Sequence, residues 1–232
     1  MKPEILDNIP FNIDKATVLK AMRLRHQNPV LEKMVEELLA QTRGITRPKA
    51  VYKVGRVEHL DADSVYVDGV KFTSRALVKN LEKENRAFPC LCTCGRELDA
   101  FKVLPQDTMR AFCFDMLKNL ALYTAIQYLA EYLKKRFAIN SLTHMNPGEF
   151  QDWPLSQQKQ MFTVFPDSAE LVGVTLTDSN VMKPEKSRSG IYFSNESGFE
   201  SCQLCPNVKC PGRRAKYDPA LVRQMTGAVE TA

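Results

Sequence analysis

The sequence predicts an α+β domain in which a mainly antiparallel sheet is flanked by helices, one of them long. Three observations carry this. Short runs of β-branched and aromatic residues are separated by helical patterns and turns, without the regular strand–helix–strand alternation that builds a parallel sheet. A stretch from Gln106 to about Arg136 contains neither Gly nor Pro. The 232 residues, 44% hydrophobic and 25% charged, have ordinary globular composition and suffice for a sizeable core.

The elements follow in order. Asp14 is placed to cap a first helix reaching about His26. Asn28 and Pro29 then form an N-cap and first-turn proline for a second helix. Val30, Leu31, Met34, Val35, Leu38 and Leu39 recur on one face of it. Residues 50–72 alternate as a hairpin, with Asp68–Gly69 as a tight turn. Ser74 caps a short helix through about Glu84. "AFPCLCTCG" is a strand, which puts Cys90, Cys92, Cys94 and Phe88 on one face. The Gln106–Arg136 stretch is one helix of about 45 Å, and Cys113 falls on its apolar side. "INSLTHMNPGEFQDWP" reads as a short strand and a loop, followed by a helix from Pro154 to about Phe165. "ELVGVTLT" and "SGIYFS" are two strands joined by a polar loop, 177–188. Asp218 caps a last helix, "PALVRQM". No repeat or long linker interrupts the chain. The expectation is one domain over 1–232: helices and hairpin in 1–85, a core in 86–200, a cysteine loop in 201–217, and a C-terminal helix in 218–232.

Net charge is +5, a surplus too modest for a nucleic-acid binder. The first residues carry acids and no apolar run, so they are not a secretory signal. No stretch approaches the roughly 20 apolar residues of a membrane span. A cytoplasmic location is expected, where an odd count of seven cysteines does not read as a disulfide framework.

Three of those cysteines lie in "SCQLCPNVKCPGRR" as C-x₂-C-x₄-C: Cys202, Cys205 and Cys210. Two thiolates three residues apart can grip one metal or cluster from a turn. Pro206, Pro211 and Gly212 shape such a turn, and Cys210 followed by proline resembles iron–sulfur loops. Lys209, Arg213, Arg214 and Lys216 would favour thiolates and offset a cluster's negative charge. A four-iron cluster, a zinc ion and metal-free cysteines are the three readings. The expected fourth ligand is Cys94, next to Gly95 at a strand end, with Cys92 behind it. Elsewhere, His144 is the one histidine near a Gly/Pro loop. Trp153 is either a core anchor or a platform for a planar cofactor. There is no Ser–His–Asp set, no Walker loop and no G-x-G-x-x-G.

Three stretches resemble the activation (reactivation) domain of cobalamin-dependent methionine synthase, and in particular free-standing proteins of anaerobes that carry this domain alone. They are "CTCGREL" (92–98), "HMNPGEFQDWPLSQQKQMF" (144–162) and "GVTLTDSNVMKPEKSRSGIYFS" (173–194). The likeness spans about residues 88–217. It implies a C-shaped α+β unit with a twisted antiparallel sheet that docks on a corrinoid-carrying domain. There, one electron and then a methyl group from S-adenosylmethionine return oxidised cobalt to the cycle. The resemblance implies that His144, Asn146, Pro147, Gly148 and Trp153, with Met182, Ser187, Gly190 and Tyr192, lie near the corrinoid or nucleotide cleft.

Two departures qualify that expectation. The family's adenosylmethionine motif, Arg-x-x-x-Gly-Tyr, reads here from His144 to Gly148-Glu149. The arginine and tyrosine are both absent, which leaves the methyl-donor site open. The cysteine loop is an addition. Together they suggest reductive reactivation of a corrinoid protein, with a bound cluster passing an electron from a separate donor. The alternatives are an adenosylmethionine-binding domain with structural, zinc-bound cysteines, and a corrinoid-binding module without catalysis.

Overall fold

The computed structural model describes residues 2–23, 26, 28–59, 61–104, 106–210 and 212–227. The remainder, including Pro211 and the last five residues, lies outside the described residues. The chain order is β1 (Glu4–Leu6), α1 (Lys15–Met22), α2 (Pro29–Thr42), β2 (Lys49–Tyr52), β3 (Gly55–His59), β4 (Ser64–Val67), β5 (Val70–Thr73), α3 (Arg75–Leu81), β6 (Arg86–Thr93), α4 (Arg96–Asp99), α5 (Thr108–Phe137) and β7 (Leu142–Met145). After these come α6 (Gln158–Val164), α7 (Ser168–Leu171), β8 (Thr175–Leu176), β9 (Met182–Lys183), β10 (Ser187–Ser194) and α8 (Pro219–Thr226).

The predicted caps are present. The side chains of Asp14, Asn28, Ser74 and Asp218 each accept backbone N–H groups of the turn that follows. α1 ends at Met22 rather than near His26, because Arg23 adopts a left-handed conformation (φ 52°) and its N–H closes on the Lys20 carbonyl.

β6 is the axis of an all-antiparallel sheet. β10 runs along one edge of it, from Ser187 opposite Thr93 to Tyr192 opposite Phe88, and β7 lies beyond β10. The other edge is shared by β2 and β3. Tyr52 pairs with Cys90, Gly55 pairs with Ala87, and the Lys53 N–H between them donates to the Pro89 carbonyl. A central strand normally excludes proline. Here the missing Pro89 N–H falls where the neighbouring chain breaks between β2 and β3. β1 extends the sheet past β2, and β4 and β5 extend it past β3.

Two expectations change. The 50–72 hairpin is four strands, and Asp68–Gly69 (φ 54° and 78°) turns only β4 into β5. "ELVGVTLT" is not one strand. Residues up to Leu171 close the α7 turn, Gly173 at φ 74° breaks the chain, and only Thr175–Leu176 pairs, with β9.

Strand alternation sorts the core. Phe88, Cys90, Cys92, Tyr52 and Tyr192 pack under Ala125, Ile126, Leu129 and Leu133 of α5. Ala87, Leu91, Ile191 and Phe193 face the other way, toward Trp153, Met161, Phe165 and α3. The first half of α5 forms a third cluster with α1 and α2. Despite its 30 residues, α5 is not apolar enough to cross a membrane, nor is any other described helix.

Candidate functional site

The site forms where the end of β7 meets the start of β10. Asn146, Pro147, Gly148, Met182 and Ser187 line one open cleft of about 300 Å³, together with Glu149, Gln158, Arg188 and Ser189. Local chain geometry sets its walls. Gly148 sits at φ 85° and donates its N–H to the Trp153 carbonyl at 2.7 Å, which curls the 147–153 loop under the cleft. Ser187 Oγ donates to Thr93 Oγ1 at 2.9 Å, and Ser189 Oγ, two residues on and on the same face of β10, donates to Gln158 Oε1.

The other expected residues shape the cleft from behind. Gly190 lies against Asn146: a Cβ there would stand 2.3 Å from Asn146 Oδ1 and 2.7 Å from the Met145 carbonyl oxygen. Tyr192 is buried under α5 and donates to the Ile126 carbonyl at 3.4 Å. Trp153 is the core anchor of its two readings. Its indole is fully buried edge-on to Phe72, so it has no open face on which a cofactor could stack. His144 is 5% exposed, with its ring 5.0 Å from that of Tyr192. Burial, helped by the nearby charges of Arg188 and Arg214, holds its pKa well below the usual imidazole range, so it is neutral at neutral pH. Among the described residues, its Nε2 has no hydrogen-bond partner.

The cysteine loop is wrapped around one guanidinium. Arg213 donates from Nη1 to the carbonyls of Cys202 (2.7 Å) and Ala215 (2.9 Å). From Nη2 it donates to the carbonyls of Cys205 (2.7 Å) and Asn207 (2.8 Å), and from Nε to that of Asn207 (3.3 Å). All five N–H donors of the fork are used. The Arg214 N–H donates to Cys202 Sγ at 3.5 Å, and the Arg214 side chain pairs with Glu200 at 2.8 Å. Cys202, Cys205 and Cys210 are each half-buried.

Glu149 joins this loop to the cleft. Asn146 Nδ2 donates to its Oε2 at 2.9 Å, and Ser201 Oγ donates to its Oε1 at 2.7 Å. Ser201 is fully buried and adjacent to Cys202. The cleft and the cysteine loop are therefore one construction. Glu149→Gln keeps an acceptor for Ser201 but turns an NH₂ toward Asn146. A loss of about 1–2 kcal/mol is expected, read from urea unfolding together with faster proteolysis of residues 196–217.

Cys94 lies elsewhere. It packs with Val18, Leu98, Cys113 and Leu117 in the α1–α2–α5 core, and its thiol donates to the Gly95 carbonyl at 3.6 Å. Burial and the charge of Asp99 push its pKa up to about 12. Cys90 and Cys92 are buried under α5, and their mutual hydrogen bond and burial push Cys90 well above the usual thiol range. All three are buried core thiols. Among the described residues, no three Cys, His, Asp or Glu side chains are gathered as a single metal ion requires.

Glu149, Gln158 and Arg213 were not singled out from the sequence as cleft or loop-organising residues, and Arg188 and Ser189 were covered only as part of the 182–192 loop. For Glu149 a signal existed: it follows Gly148 where the resemblance implies a tyrosine. For Arg213 there was none, because an arginine beside cysteines reads as surface charge until its carbonyl partners are seen.

No protein-family model matches the chain, and no curated protein matches it in sequence. Among solved structures, the chain is similar to a crystal structure of the MetH reactivation domain bound to AdoHcy. The TM-score is 0.57 at 14% identity, over 86% of this chain and 80% of that one. The chain has the α+β fold of that reactivation domain.

Proposed function

We propose that this protein reactivates a corrinoid protein involved in methyl transfer by reduction, through an iron–sulfur cluster held in the cysteine loop. The observation that carries the reading is the Asn146–Glu149–Ser201 chain of hydrogen bonds, which fastens the three-thiol loop to the cleft. The fold likeness supports a corrinoid-related role and a corrinoid-bearing partner.

The donor set suits a cluster better than a single ion. A tetrahedral zinc with bonds of about 2.3 Å would need its sulfurs almost in contact, whereas a four-iron cluster would take one thiolate on each iron and so allow them to stand farther apart. Cys202, Cys205 and Cys210 would hold it, and the Arg214 N–H already donates to one of these sulfurs. Arg213 fixes the carbonyls of the loop, so its backbone needs little reordering. A bound cluster would supply one electron at low potential to the partner's cobalt(II), giving cobalt(I), and would be replenished by an external one-electron reductant. Asn146, Gly148, Met182 and Ser187 would receive the edge of the corrinoid or its axial ligand, and Arg188 would place positive charge beside it.

A second reading is adenosylmethionine binding, which the AdoHcy-bound neighbour favours. Against it, Glu149 puts a carboxylate where the motif has tyrosine, and its oxygens are engaged by Asn146 and Ser201. The arginine that would pair the ligand's carboxylate is His144, buried and neutral.

The test is purification without oxygen. The wild type should be brown, with iron and sulfide near stoichiometry for a cluster, and should reduce cob(II)alamin when given a low-potential reductant. Cys202→Ala should lose both. A colourless, iron-free protein that binds adenosylmethionine at micromolar concentration in calorimetry would replace this reading with the second.

A further inference from the structure

A separate cavity of about 470 Å³ lies where β6 begins, lined by the start of the chain, the β2–β3 junction and the end of α5. β6 runs from Arg86 at this cavity to Thr93 beside Ser187 of the cleft, so the two openings stand about 23 Å apart along the strand. We infer that this cavity binds a small organic phosphate, an inference independent of the corrinoid reading.

The first ground is charge. Lys2, Arg56, Arg86 and Arg136 all line the cavity, and Glu4 is the one acid among the described lining residues. Tyr132 and Tyr52 donate their hydroxyls to the two carboxylate oxygens of Glu4, which holds its pKa below the usual carboxylate range and keeps it ionised at neutral pH. Four cations against one carboxylate leave a surplus of three positive charges. Among the described residues, only Arg56 of the four has a carboxylate partner, the exposed Glu58 at 3.4 Å. Like charges converging on a concave surface raise the potential that attracts an anion.

The second ground is the form of the donors. Three of the four cations are guanidinium forks, which match the oxygens of a phosphate two at a time. A phosphate ester carries about two negative charges and three acceptor oxygens on one centre. It can engage several forks at once, where a single carboxylate satisfies one. Arg86 is already held for this. Its guanidinium lies over the rings of Phe88 and Phe137, at 5.8 and 5.3 Å, and Nη2 donates to the Phe137 carbonyl at 3.5 Å. A long side chain fixed before binding lowers the entropy cost of the complex.

The third ground is room. The cavity is of the size that small-molecule sites have, and it leaves space beyond an inorganic phosphate. Tyr52, Val54 and Phe137 give it an apolar wall for the organic part of the ligand. The end of α5 accounts for only part of the charge. Arg136 stands in its last turn and Arg86 meets its last carbonyl, and both complement the helix dipole. Lys2 precedes β1 and Arg56 belongs to β3, so the helix end does not account for them.

The experiment is calorimetry on the full chain at low ionic strength, where screening is weakest. The probes are ADP, pyrophosphate, adenosine and citrate, and the melting temperature of each ligand-free protein is the folding control. ADP is expected to bind and to raise the melting temperature. Pyrophosphate should bind more weakly, because it leaves the apolar wall uncovered, and adenosine should not bind. Arg136→Gln and Arg86→Gln should each weaken ADP about 10- to 100-fold, as the loss of one charged hydrogen bond does. Lys209→Gln, in the cysteine loop, should leave ADP binding unchanged. The inference is overturned if neither ADP nor pyrophosphate binds, if the arginine variants bind ADP as the wild type does, or if citrate binds more tightly than ADP. Should Arg86→Gln melt early, Arg136→Gln and the exposed pair Lys2→Gln with Arg56→Gln decide the matter.

Discussion

Replacing Arg213 with alanine is expected to release the cysteine loop as a unit. Its guanidinium donates to four carbonyls within the 202–215 segment, and each charged hydrogen bond of this kind contributes about 1.5–3 kcal/mol. The freed carbonyls are half-exposed and take up water, so the contributions do not add. A local loss on the order of 3 kcal/mol is the reasonable sum. Hydrogen exchange should rise sharply over 200–217 while β6 and α5 keep their protection. Iron retained after anaerobic reconstitution should fall in parallel. Arg213→Lys should not rescue, because three donors on a point charge cannot reach carbonyls on both sides of a planar fork. Unchanged exchange in Arg213→Ala would mean that the loop is ordered by something else.

Gly190→Ala should be the most damaging single methyl in the site. The added carbon meets the Met145 carbonyl oxygen at 2.7 Å and Asn146 Oδ1 at 2.3 Å. The first is backbone, so β7 must move away from β10 rather than a side chain turning aside. The expected cost is about 3 kcal/mol, at the top of the usual range for overpacking. In a chain of this length that lowers Tm by about 6–12 °C. Gly44→Ala is the control. No atom lies within 4 Å of its added Cβ, and removing backbone freedom there should leave stability equal or slightly raised. Equal melting temperatures for the two variants would remove the steric account of Gly190 and, with it, the reason Asn146 sits where it does.

Much of the fold was legible because its signals are local. A cap needs only its own turn, so Asp14, Asn28, Ser74 and Asp218 could be read from single residues and their neighbours. The absence of Gly and Pro gave α5 within two residues at its N-terminal end. Where pairing is remote, the reading failed. Glu4–Leu6 has no alternation of its own and is a strand because β2 lies beside it and because Glu4 accepts from the hydroxyls of Tyr52 and Tyr132. Gly173 divided a stretch whose valines alone suggested one strand.

The site divides in the same way. The 144–148 segment, Trp153 and the 182–192 loop were read as lying near one cleft; the antiparallel pairing of β10 with β7 brings Asn146, Gly148, Met182 and Ser187 to a common opening, while His144, Trp153 and Tyr192 are buried behind it. Period-two alternation correctly put Cys90, Cys92 and Cys94 on one face, but it says nothing of what covers that face. α5 covers the first two, and α1 and α2 join it over the third. That is why a thiol at a strand end, free to reach outward on paper, is sealed in the core.

The sequence by itself determined the composition of the chemistry: three clustered thiols, a basic setting, and glutamate and histidine where the resembled motif has tyrosine and arginine. Those are covalent facts of the chain and need no neighbours. Only the tertiary structure decided which groups face one another. It tied the cysteine loop to the cleft through Glu149, closed Cys94 away, and buried His144 with no partner for its Nε2 among the described residues, because contact between segments far apart in sequence is set by sheet register and helix packing and not by spacing along the chain.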